Sequence, residues 1–261
     1  MKIRFTKYQA TGNDFVLVDN RNGAIKLSTE DVRRICDRRF GVGADGLMLI
    51  EKHPSLDFNL VYYNSDGSQS LCGNGSRAAM KMASSLGIVN GKAKFNAFDG
   101  PHEAEINGEI VKVRMNDVTT PANPSFINTG SPHVVKFVTN LASYPVYEEG
   151  RKIRNSYENG TNANFVELLG NNQIYVRTYE RGVENETLSC GTGVTAAALA
   201  AYFKGYTSPI AIKTQGGTLS VQFKAEPSSP SQQTEAGQSV TFREIFLIGP
   251  AKMVFEGDLD L

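Results

Sequence analysis

Two cysteines at the head of similar motifs carry the strongest chemical signal in this sequence. CGNGSRAAM begins at Cys72, and CGTGVTAAAL begins at Cys190, 118 residues later. In each copy a glycine-rich start leads into an alanine-rich run, and a further glycine follows 15 residues after the cysteine, at Gly87 and at Gly205. Such an echo predicts two related halves, each holding a helix that begins at its cysteine.

A thiol at a glycine-rich helix start is suited to acid–base chemistry. Glycine lets the backbone turn with its N–H groups exposed, and the helix N-terminus adds roughly half a unit of positive charge. Such a position binds an anion and lowers a thiol pKa from about 8.5 towards neutrality. Two such sites facing each other would clamp a carboxylate, so that one thiolate removes the α-proton and the opposite thiol returns a proton to the other face. The pattern predicts a cofactor-independent amino-acid epimerase with Cys72 and Cys190 as its two bases.

Other functions remain open from the motifs alone. The protein could be an epimerase or racemase of a different amino acid, or a thiol redox protein in which the two cysteines cycle through a disulfide. It could also be a nucleotide-binding module, since GVGADG at residues 41–46 fits G-x-G-x-x-G. That segment follows a predicted helix and precedes a predicted strand, which is the reverse of the dinucleotide-binding order.

Composition narrows the class of protein. The 261 residues include 27 basic and 27 acidic side chains, and neither sign forms a long block, so no nucleic-acid or membrane partner is expected. Neither a signal peptide nor a run of roughly 18 apolar residues is recognisable, and three cysteines without framework spacing favour a reducing cytoplasm. The three histidines, His53, His102 and His133, are scattered, so no metal site is predicted. Cys36 is predicted to lie in the core.

The predicted fold class is α+β, with two pseudo-symmetric lobes of mixed β-sheet, each wrapped around a central helix, and an active site in the cleft between the lobes. Apolar segments predict strands at residues 15–18, 47–50, 58–63 and 174–179. Asn107-Gly108 predicts a hairpin, and a capping-type start predicts a helix from Ser28 to Arg39. The polar stretch from Pro227 to Gly237 is predicted to be a surface loop.

Eight motifs identify a family that the chain resembles over nearly its whole length. In order they are ATGNDF around Asn13, GVGADGL around Asp45, YYNSDG around Asn64, CGNGSR at Cys72, TGSPHVV around His133, GTNANF around Asn162, YERG at Glu180-Arg181 and SCGTG at Cys190. The same motifs occur in the same order in diaminopimelate epimerases. Proline racemases and hydroxyproline epimerases share the two-cysteine logic, but their first motif typically carries His where Asn74 stands here.

The resemblance implies interconversion of LL- and meso-2,6-diaminopimelate in bacterial lysine and peptidoglycan-precursor synthesis, without pyridoxal phosphate or metal. It implies Cys72 and Cys190 as catalytic bases, supported by His133 and Glu180. The backbones of Gly73-Asn74 and Gly191-Thr192 would hold the reacting carboxylate. The other substrate-binding residues would be Asn13, Asn64, Ser131, Asn162, Glu180 and Arg181.

From the residues alone, several of these positions have a second interpretation. Asn13 and Asn64 could be turn formers, Arg181 a solvated charge, and His133 a strand cap. The sequence also departs from the family pattern at Ser131, where many members carry Asn, at Gly46, where some carry Gln, and between Asn64 and Cys72, which is one residue shorter.

The resemblance also divides the chain. It implies an N-terminal lobe at residues 1–117 and a C-terminal lobe at 118–249, with the tail from about 250 to 261 returning to the first lobe. The expected partner is a small amino-acid substrate, and a homodimer is plausible.

Overall fold

The structure is a computed structural model that describes residues 2–227 and 239–261. Its strands are β1 (Lys2–Ala10), β2 (Asn13–Asp19), β3 (Gly46–Glu51), β4 (Phe58–Asn64), β5 (Lys92–Ala97), β6 (Gly100–Asn107), β7 (Ile110–Arg114), β8 (Val118–Pro121), β9 (Phe126–Asn128), β10 (Pro132–Phe137), β11 (Asn162–Leu169), β12 (Gln173–Glu180), β13 (Asn185–Thr187), β14 (Ile210–Thr214), β15 (Gly217–Pro227), β16 (Ser239–Pro250) and β17 (Lys252–Asp260). Its α-helices are α1 (Thr29–Cys36), α2 (Gly73–Ser85), α3 (Val146–Asn155) and α4 (Gly191–Tyr202), with a short 3-10 helix at Leu141–Ser143.

The chain divides into two compact units, Met1–Val113 with Gly249–Leu261, and Arg114–Ile248. Strands predominate in both, and each unit contains two α-helices, one of which begins at a cysteine. This is the mixed-sheet, few-helix architecture that the sequence predicts. No helix within the described ranges is long and apolar enough to cross a membrane.

The first unit is built on a mixed sheet. β1 pairs antiparallel with β2 and with β17, β2 is parallel to β3, and β3 is antiparallel to β4. β4 runs parallel to β5, which continues through antiparallel pairs to β6 and β7. α2 packs on this sheet through Ala78, Ala79, Met80 and Ala83, against a cluster that includes Phe15. A second cluster is centred on α1, which buries Val32 and Ile35.

The second unit repeats this plan. β10 and β11 are parallel, β11 and β12 are antiparallel, and β12 pairs antiparallel with β13 and parallel with β14. β14, β15 and β16 form antiparallel pairs, β16 pairs with β8, and β9 pairs with β10. Every residue of α4 from Gly191 to Ala201 is buried. A helix buried on all sides has no polar face, which is why this one is almost entirely small and apolar.

The two predicted cysteine-headed helices are confirmed. Cys72 is the N-cap of α2, and Cys190 is the N-cap of α4, with extended backbone at both. The helices contain 13 and 12 residues. Gly87 and Gly205 follow their ends with φ of 68° and 88°, a left-handed conformation that glycine adopts at little cost.

The shorter predictions are mostly confirmed. The four predicted strands lie within β2, β3, β4 and β12, and the hairpin at Asn107-Gly108 joins β6 to β7. The helix predicted to reach Arg39 ends at Cys36, so its predicted C-terminus was wrong. The Asp37 carboxylate accepts the backbone N–H groups of Arg39 and Phe40, both at 2.7 Å, and this turn replaces the last helical residues. Apart from Pro227, the last residue of β15, the predicted loop to Gly237 lies outside the described residues.

The third residue of each cysteine-headed helix is a glycine that lies against its sheet. A Cβ at Gly193 would lie 2.3 Å from Asn164 Oδ1, whereas a Cβ at Gly75 would lie 2.2 Å from Met48 Cε, the flexible end of a side chain. Asn164 is fixed by hydrogen bonds to Val134 O and from Thr178 Oγ1, both at 3.0 Å. The second helix therefore tolerates less bulk at its start than the first.

We expect Gly193→Ala to lower the free energy of unfolding by about 1–3 kcal/mol, because Asn164 must leave its hydrogen bonds or the helix must shift. The matched variant Gly75→Ala should cost less than about 1 kcal/mol, because Met48 can change rotamer. Urea unfolding of both variants measures the two values. Equal losses would show that the two helix starts are equally crowded.

Candidate active site

In the first unit Cys72 replaces the usual oxygen-bearing N-cap residue. Its Sγ accepts the backbone N–H of Gly75 at 3.3 Å, and its carbonyl accepts the N–H of Ser76 at 2.8 Å. The side chain is half-buried. The sulfur therefore lies beside the first-turn N–H groups of α2, where the helix dipole favours the thiolate over the thiol.

Asn13 lies next to this thiol. Its Oδ1 is 3.7 Å from Cys72 Sγ and accepts Asn74 Nδ2 at 3.3 Å. Its Nδ2 donates to Asp45 Oδ2 at 2.5 Å. Because a carboxylate can only accept, Asp45 fixes the amide so that its oxygen is directed at the thiol and at Asn74. The structure thus brings together Asn13, Cys72 and Asn74, three of the predicted site residues, and adds Asp45.

Asp45 belongs to a group of four charged side chains. Arg38 donates to Asp14 at 2.7 and 3.1 Å and to Asp45 at 2.8 Å, while Lys7 lies 2.7 Å from Asp14. Burial alone would raise the pKa of Asp14, but the hydrogen bonds and charges of Arg38 and Lys7 outweigh it and lower the pKa to about 2. The two cations therefore balance two carboxylates, and the group supports Asn13 without adding net charge.

Asn64 makes different contacts. Its Nδ2 donates to Ser68 O at 3.2 Å, Ser68 Oγ at 3.0 Å and Ser70 Oγ at 3.2 Å. These bonds tie the end of β4 to the loop that leads into Cys72. Asn64 thus acts locally as a loop organiser, in line with the turn-forming interpretation, and its role towards a substrate stays a prediction.

In the second unit Cys190 occupies the same backbone position without a side-chain cap bond. Its Sγ is buried and lies 3.5 Å from Thr192 Oγ1. Thr192 Oγ1 is in turn 2.9 Å from His133 Nε2 and 3.1 Å from Ser131 Oγ. The predicted residues Ser131, His133 and Thr192 therefore meet at this thiol.

The hydrogen bonds of His133 define its tautomer. Asn164 Nδ2 lies 3.0 Å from His133 Nδ1 and can only donate, so Nδ1 accepts and the proton is on Nε2. Burial, together with the positive charge of Arg181, lowers the pKa of His133 to about 3. The imidazole is therefore neutral, and His133 reaches Cys190 through the Thr192 hydroxyl, which can accept from Nε2–H and donate to the sulfur.

Asn162, Glu180 and Arg181 lie along the same edge of the second unit. Asn162 Oδ1 accepts the backbone N–H of Arg181 at 2.9 Å, and its Nδ2 donates to Pro132 O at 2.9 Å. The exposed Arg181 donates Nη1 to Asn159 O at 2.9 Å, and Glu180 accepts from the Thr187 hydroxyl. Asn162 thus holds the segment that carries Arg181.

Asn164 and Asp45 were not among the predicted site residues. Asn164 stands two positions after Asn162 on β11, so strand periodicity places both on one face, and this signal was available in the sequence. Asp45 lies in the GVGADGL motif, but its contact with Asn13 crosses 32 residues and depends on the parallel pairing of β2 with β3. In the described part of the chain, no group of three His, Cys, Asp or Glu side chains is placed to hold a metal ion.

Comparisons with a family model and with related sequences point to the same family. A family model described as diaminopimelate epimerase matches residues 5–121 and again 125–241, once for each copy of the repeat. A diaminopimelate epimerase of Flavobacterium psychrophilum is 47% identical over 265 residues, covering 97% of this chain and 99% of the relative. One from Aquifex aeolicus is 39% identical, covering 98% of each chain.

Solved structures extend the comparison to the fold. A phenazine biosynthesis protein of the PhzF family from Bacillus anthracis matches with a TM-score of 0.72 at 15% identity, covering 100% of both chains. A hydroxyproline epimerase from Agrobacterium vitis matches with a TM-score of 0.69 at 12% identity, covering 100% of this chain and 93% of that one. These likenesses show a common fold, whereas the family model and the close relatives show the family. The chain belongs to the diaminopimelate epimerase family and is an isomerase.

Proposed function

We propose that this protein interconverts LL- and meso-2,6-diaminopimelate with two cysteine bases and without cofactor or metal, in bacterial lysine and peptidoglycan-precursor synthesis. The observation that carries the proposal is the duplicated helix start, at which a cysteine is the N-cap in each unit. Each helix start supplies one thiol and backbone N–H groups that can bind a carboxylate. Inversion of a carbon next to a carboxylate requires two thiols and a site for that carboxylate. We place the reaction in the cytoplasm, because three cysteines without framework spacing favour a reducing compartment.

The proposed reaction removes one proton from the α-carbon and adds one proton to its opposite face. The backbone N–H groups of Gly73-Asn74 and Gly191-Thr192 bind the reacting carboxylate and stabilise the negative charge that develops on it when the α-proton leaves. One thiolate takes that proton, and its electron pair delocalises into the carboxylate. The other thiol then protonates the α-carbon on the opposite face, so the two cysteines end with their protonation states exchanged.

Neighbouring side chains tune the two thiols in this proposal. Asn13 accepts from Cys72 while that sulfur carries a proton, and Thr192, polarised by neutral His133, donates to Cys190 while that sulfur is ionised. Arg181 supplies a guanidinium for the distal carboxylate of the substrate. Asn64, Ser131, Asn162 and Glu180 complete the set, with oxygens suited to the distal ammonium.

Each cysteine variant should lose epimerisation while keeping its fold. We expect Cys72→Ser and Cys190→Ser each to lower kcat by roughly 10²- to 10⁴-fold, because a serine hydroxyl fits the helix start but is far too weak an acid. Circular dichroism and proton-exchange assays check fold and activity.

The matched control is Cys36→Ala. Burial raises the pKa of the Cys36 thiol to about 12, so this cysteine has no acid–base role at working pH. The control should keep its activity. Near-normal turnover in either serine variant would remove that cysteine from the mechanism.

Solvent isotope incorporation tests the two-base step itself. In deuterated water, LL-diaminopimelate should give product labelled at the α-carbon from the first turnover, because the delivering thiol has already exchanged with solvent. Recovered substrate should stay unlabelled early on, because return uses the thiol that holds the original protium. Mass spectra showing mostly protium in early product would exclude two opposed bases, even if both cysteine variants were inactive.

Arg181→Lys should raise KM about tenfold, because an ammonium cannot reproduce a bidentate grip on a carboxylate. Arg243→Lys is the control, since Arg243 is an exposed arginine paired with Glu226 and Asp117. Steady-state kinetics with diaminopimelate measure both. Unchanged KM in Arg181→Lys would mean that this guanidinium does not bind the substrate.

A further inference from the structure

A chain of buried polar side chains lies beneath the start of α4 and ends at Cys190. The Thr178 hydroxyl donates to Asn164 Oδ1 at 3.0 Å, and Asn164 Nδ2 lies 3.0 Å from His133 Nδ1. His133 Nε2 lies 2.9 Å from Thr192 Oγ1, which is 3.5 Å from Cys190 Sγ. All five side chains are buried. Direct contacts therefore connect Asn164 to the thiol through two intermediate side chains.

The first unit has apolar side chains at the matching positions. The glycine at the third position of α2 lies against Met48, whereas its counterpart in α4 lies against Asn164. The register of the neighbouring parallel strand matches as well. Phe15 pairs with the residue two before Met48, and His133 pairs with the residue two before Asn164. Met48 and Phe15 thus stand where the second unit has Asn164 and His133.

This comparison shows that the fold itself does not require a polar pair at these positions. Phe15 and Met48 are both fully buried and need no hydrogen bonds. A buried amide and a buried imidazole cost free energy unless their hydrogen bonds are made, so the polar pair adds a demand that the first unit avoids. We therefore looked for a role of Asn164 and His133 at the one thiol to which they are connected.

The contacts of Asn164 fix the direction in which its amide points. Val134 O lies 3.0 Å from Nδ2 and can only accept, while the Thr178 hydroxyl bonds to Oδ1. Nδ2 therefore faces His133 as a donor, and the ring must accept at Nδ1 and carry its proton on Nε2. Since burial and the charge of Arg181 keep the ring neutral, Nε2–H is a fixed donor.

The Nε2–H group of His133 has two possible acceptors, and both lead to the same result at the sulfur. Thr192 Oγ1 and Ser131 Oγ each lie 2.9 Å from Nε2 and are 3.1 Å apart. If Nε2–H donates to Thr192, the Thr192 hydroxyl can donate to Cys190. If Nε2–H donates to Ser131, the Ser131 hydroxyl can donate to Thr192, which again can donate to Cys190.

The opposite tautomer would reverse this direction. An Nε2 atom without a proton would accept from a hydroxyl, and the Thr192 oxygen would then be left to accept from the thiol. A hydrogen bond donated to the sulfur favours the thiolate, whereas one accepted from it favours the thiol. The position of one proton on the His133 ring therefore decides which state of Cys190 is stabilised.

Charged groups on α4 and on the strands packed against it have contacts of their own. They are Lys136 with Glu149, Glu167 with the N–H groups of Asn140 and Leu141, Arg177 with Glu186, Glu180 with Thr187, Lys213 with the Tyr175 ring, Lys224 with Glu244 and Glu226 with Arg243, while Arg181 donates to Asn159 O, Tyr179 to Glu184, and Tyr202 packs against Phe223 and Phe242. In contrast, the side chains that lead to Cys190 are uncharged.

We propose that Asn164 is a positioning residue for Cys190. By holding the proton of His133 on Nε2, it makes the Thr192 hydroxyl a donor to the sulfur and so favours the Cys190 thiolate. Asn164 acts through His133 and Thr192 and is not itself a catalytic residue. The proposal rests on the proposed function only in that Cys190 exchanges a proton during the reaction.

The first test measures the His133 ring in the unaltered sequence. In nitrogen-15 spectra of protein with labelled histidine, His133 should be neutral and protonated at Nε2 from about pH 6 to pH 9, whereas an unperturbed histidine titrates near 6.5. The signals of His133 are identified by their loss in His133→Gln. A ring protonated at Nδ1, or at both nitrogens, would overturn the proposal.

The second test measures the ionisation of Cys190 by the ultraviolet absorbance of its thiolate. In a Cys36→Ala/Cys72→Ser background Cys190 is the single cysteine. Asn164→Leu and Thr192→Val should each raise the midpoint by about 0.5–1 pH unit, because each removes the donor at the sulfur. The double variant should have the midpoint of Thr192→Val alone, because Asn164 acts through that hydroxyl.

Thr178→Val is the matched control. It removes a buried hydrogen bond to the same amide but leaves the bonds of Asn164 Nδ2 to Val134 and His133 in place. It should lower the urea concentration at which the protein unfolds and leave the Cys190 midpoint unchanged. A shift as large as that of Asn164→Leu would show that any disturbance of this part of the core alters the thiol, and would overturn the proposal.

Two further outcomes would overturn it. One is a folded Asn164→Leu protein with an unchanged midpoint, and the other is a double variant in which the two shifts add. If Asn164→Leu does not fold, the nitrogen-15 spectra and Thr192→Val decide, since both keep Asn164 in place, and an unchanged midpoint in Thr192→Val overturns the proposal. Neither test needs turnover, so a failure here is distinct from a failure of the two-base reaction.

Discussion

The first turn of a buried helix imposes the constraint on which both half-sites depend. The first four N–H groups of any α-helix have no partner within the helix. In α2 and α4 the residues that carry these N–H groups are buried. An N-cap side chain, or an anion, must therefore satisfy them. A cysteine N-cap meets part of this need in α2, where Sγ accepts from Gly75, and in the proposed reaction the substrate carboxylate meets the rest. Stability and anion binding thus draw on the same backbone groups.

Around this shared backbone, the two units use unlike side chains. The first places an amide oxygen beside the sulfur and fixes it with Asp45, whereas the second places a hydroxyl beside the sulfur and fixes it with neutral His133. An amide oxygen accepts from a thiol, while a hydroxyl that accepts from Nε2–H can donate to a thiolate. Internal repetition therefore supplies two helix starts, and divergence of their neighbours makes the two thiols chemically different.

The sequence predicted the parts of this site that depend on local pattern. Glycines after a cysteine, an alanine run and a closing glycine define α2 and α4 because helix starts and ends are set within a few residues. Contacts that depend on strand order could not be predicted from the sequence. The link from Asn13 to Asp45 needs the pairing of β2 with β3, and the link from Asn164 to His133 needs the parallel register of β10 and β11. Asn64 shows that a motif match can also predict too much. It belongs to a family motif, but its described side-chain contacts lie within its own loop.

Fold likeness and chemistry separate clearly in this protein. Structures described as a phenazine biosynthesis protein and as a hydroxyproline epimerase share the fold at only 12–15% identity. The chemistry must therefore lie in side chains that the fold does not dictate. In this chain such side chains are Asn13 with Asp45 beside one thiol, and Thr192 with His133 beside the other.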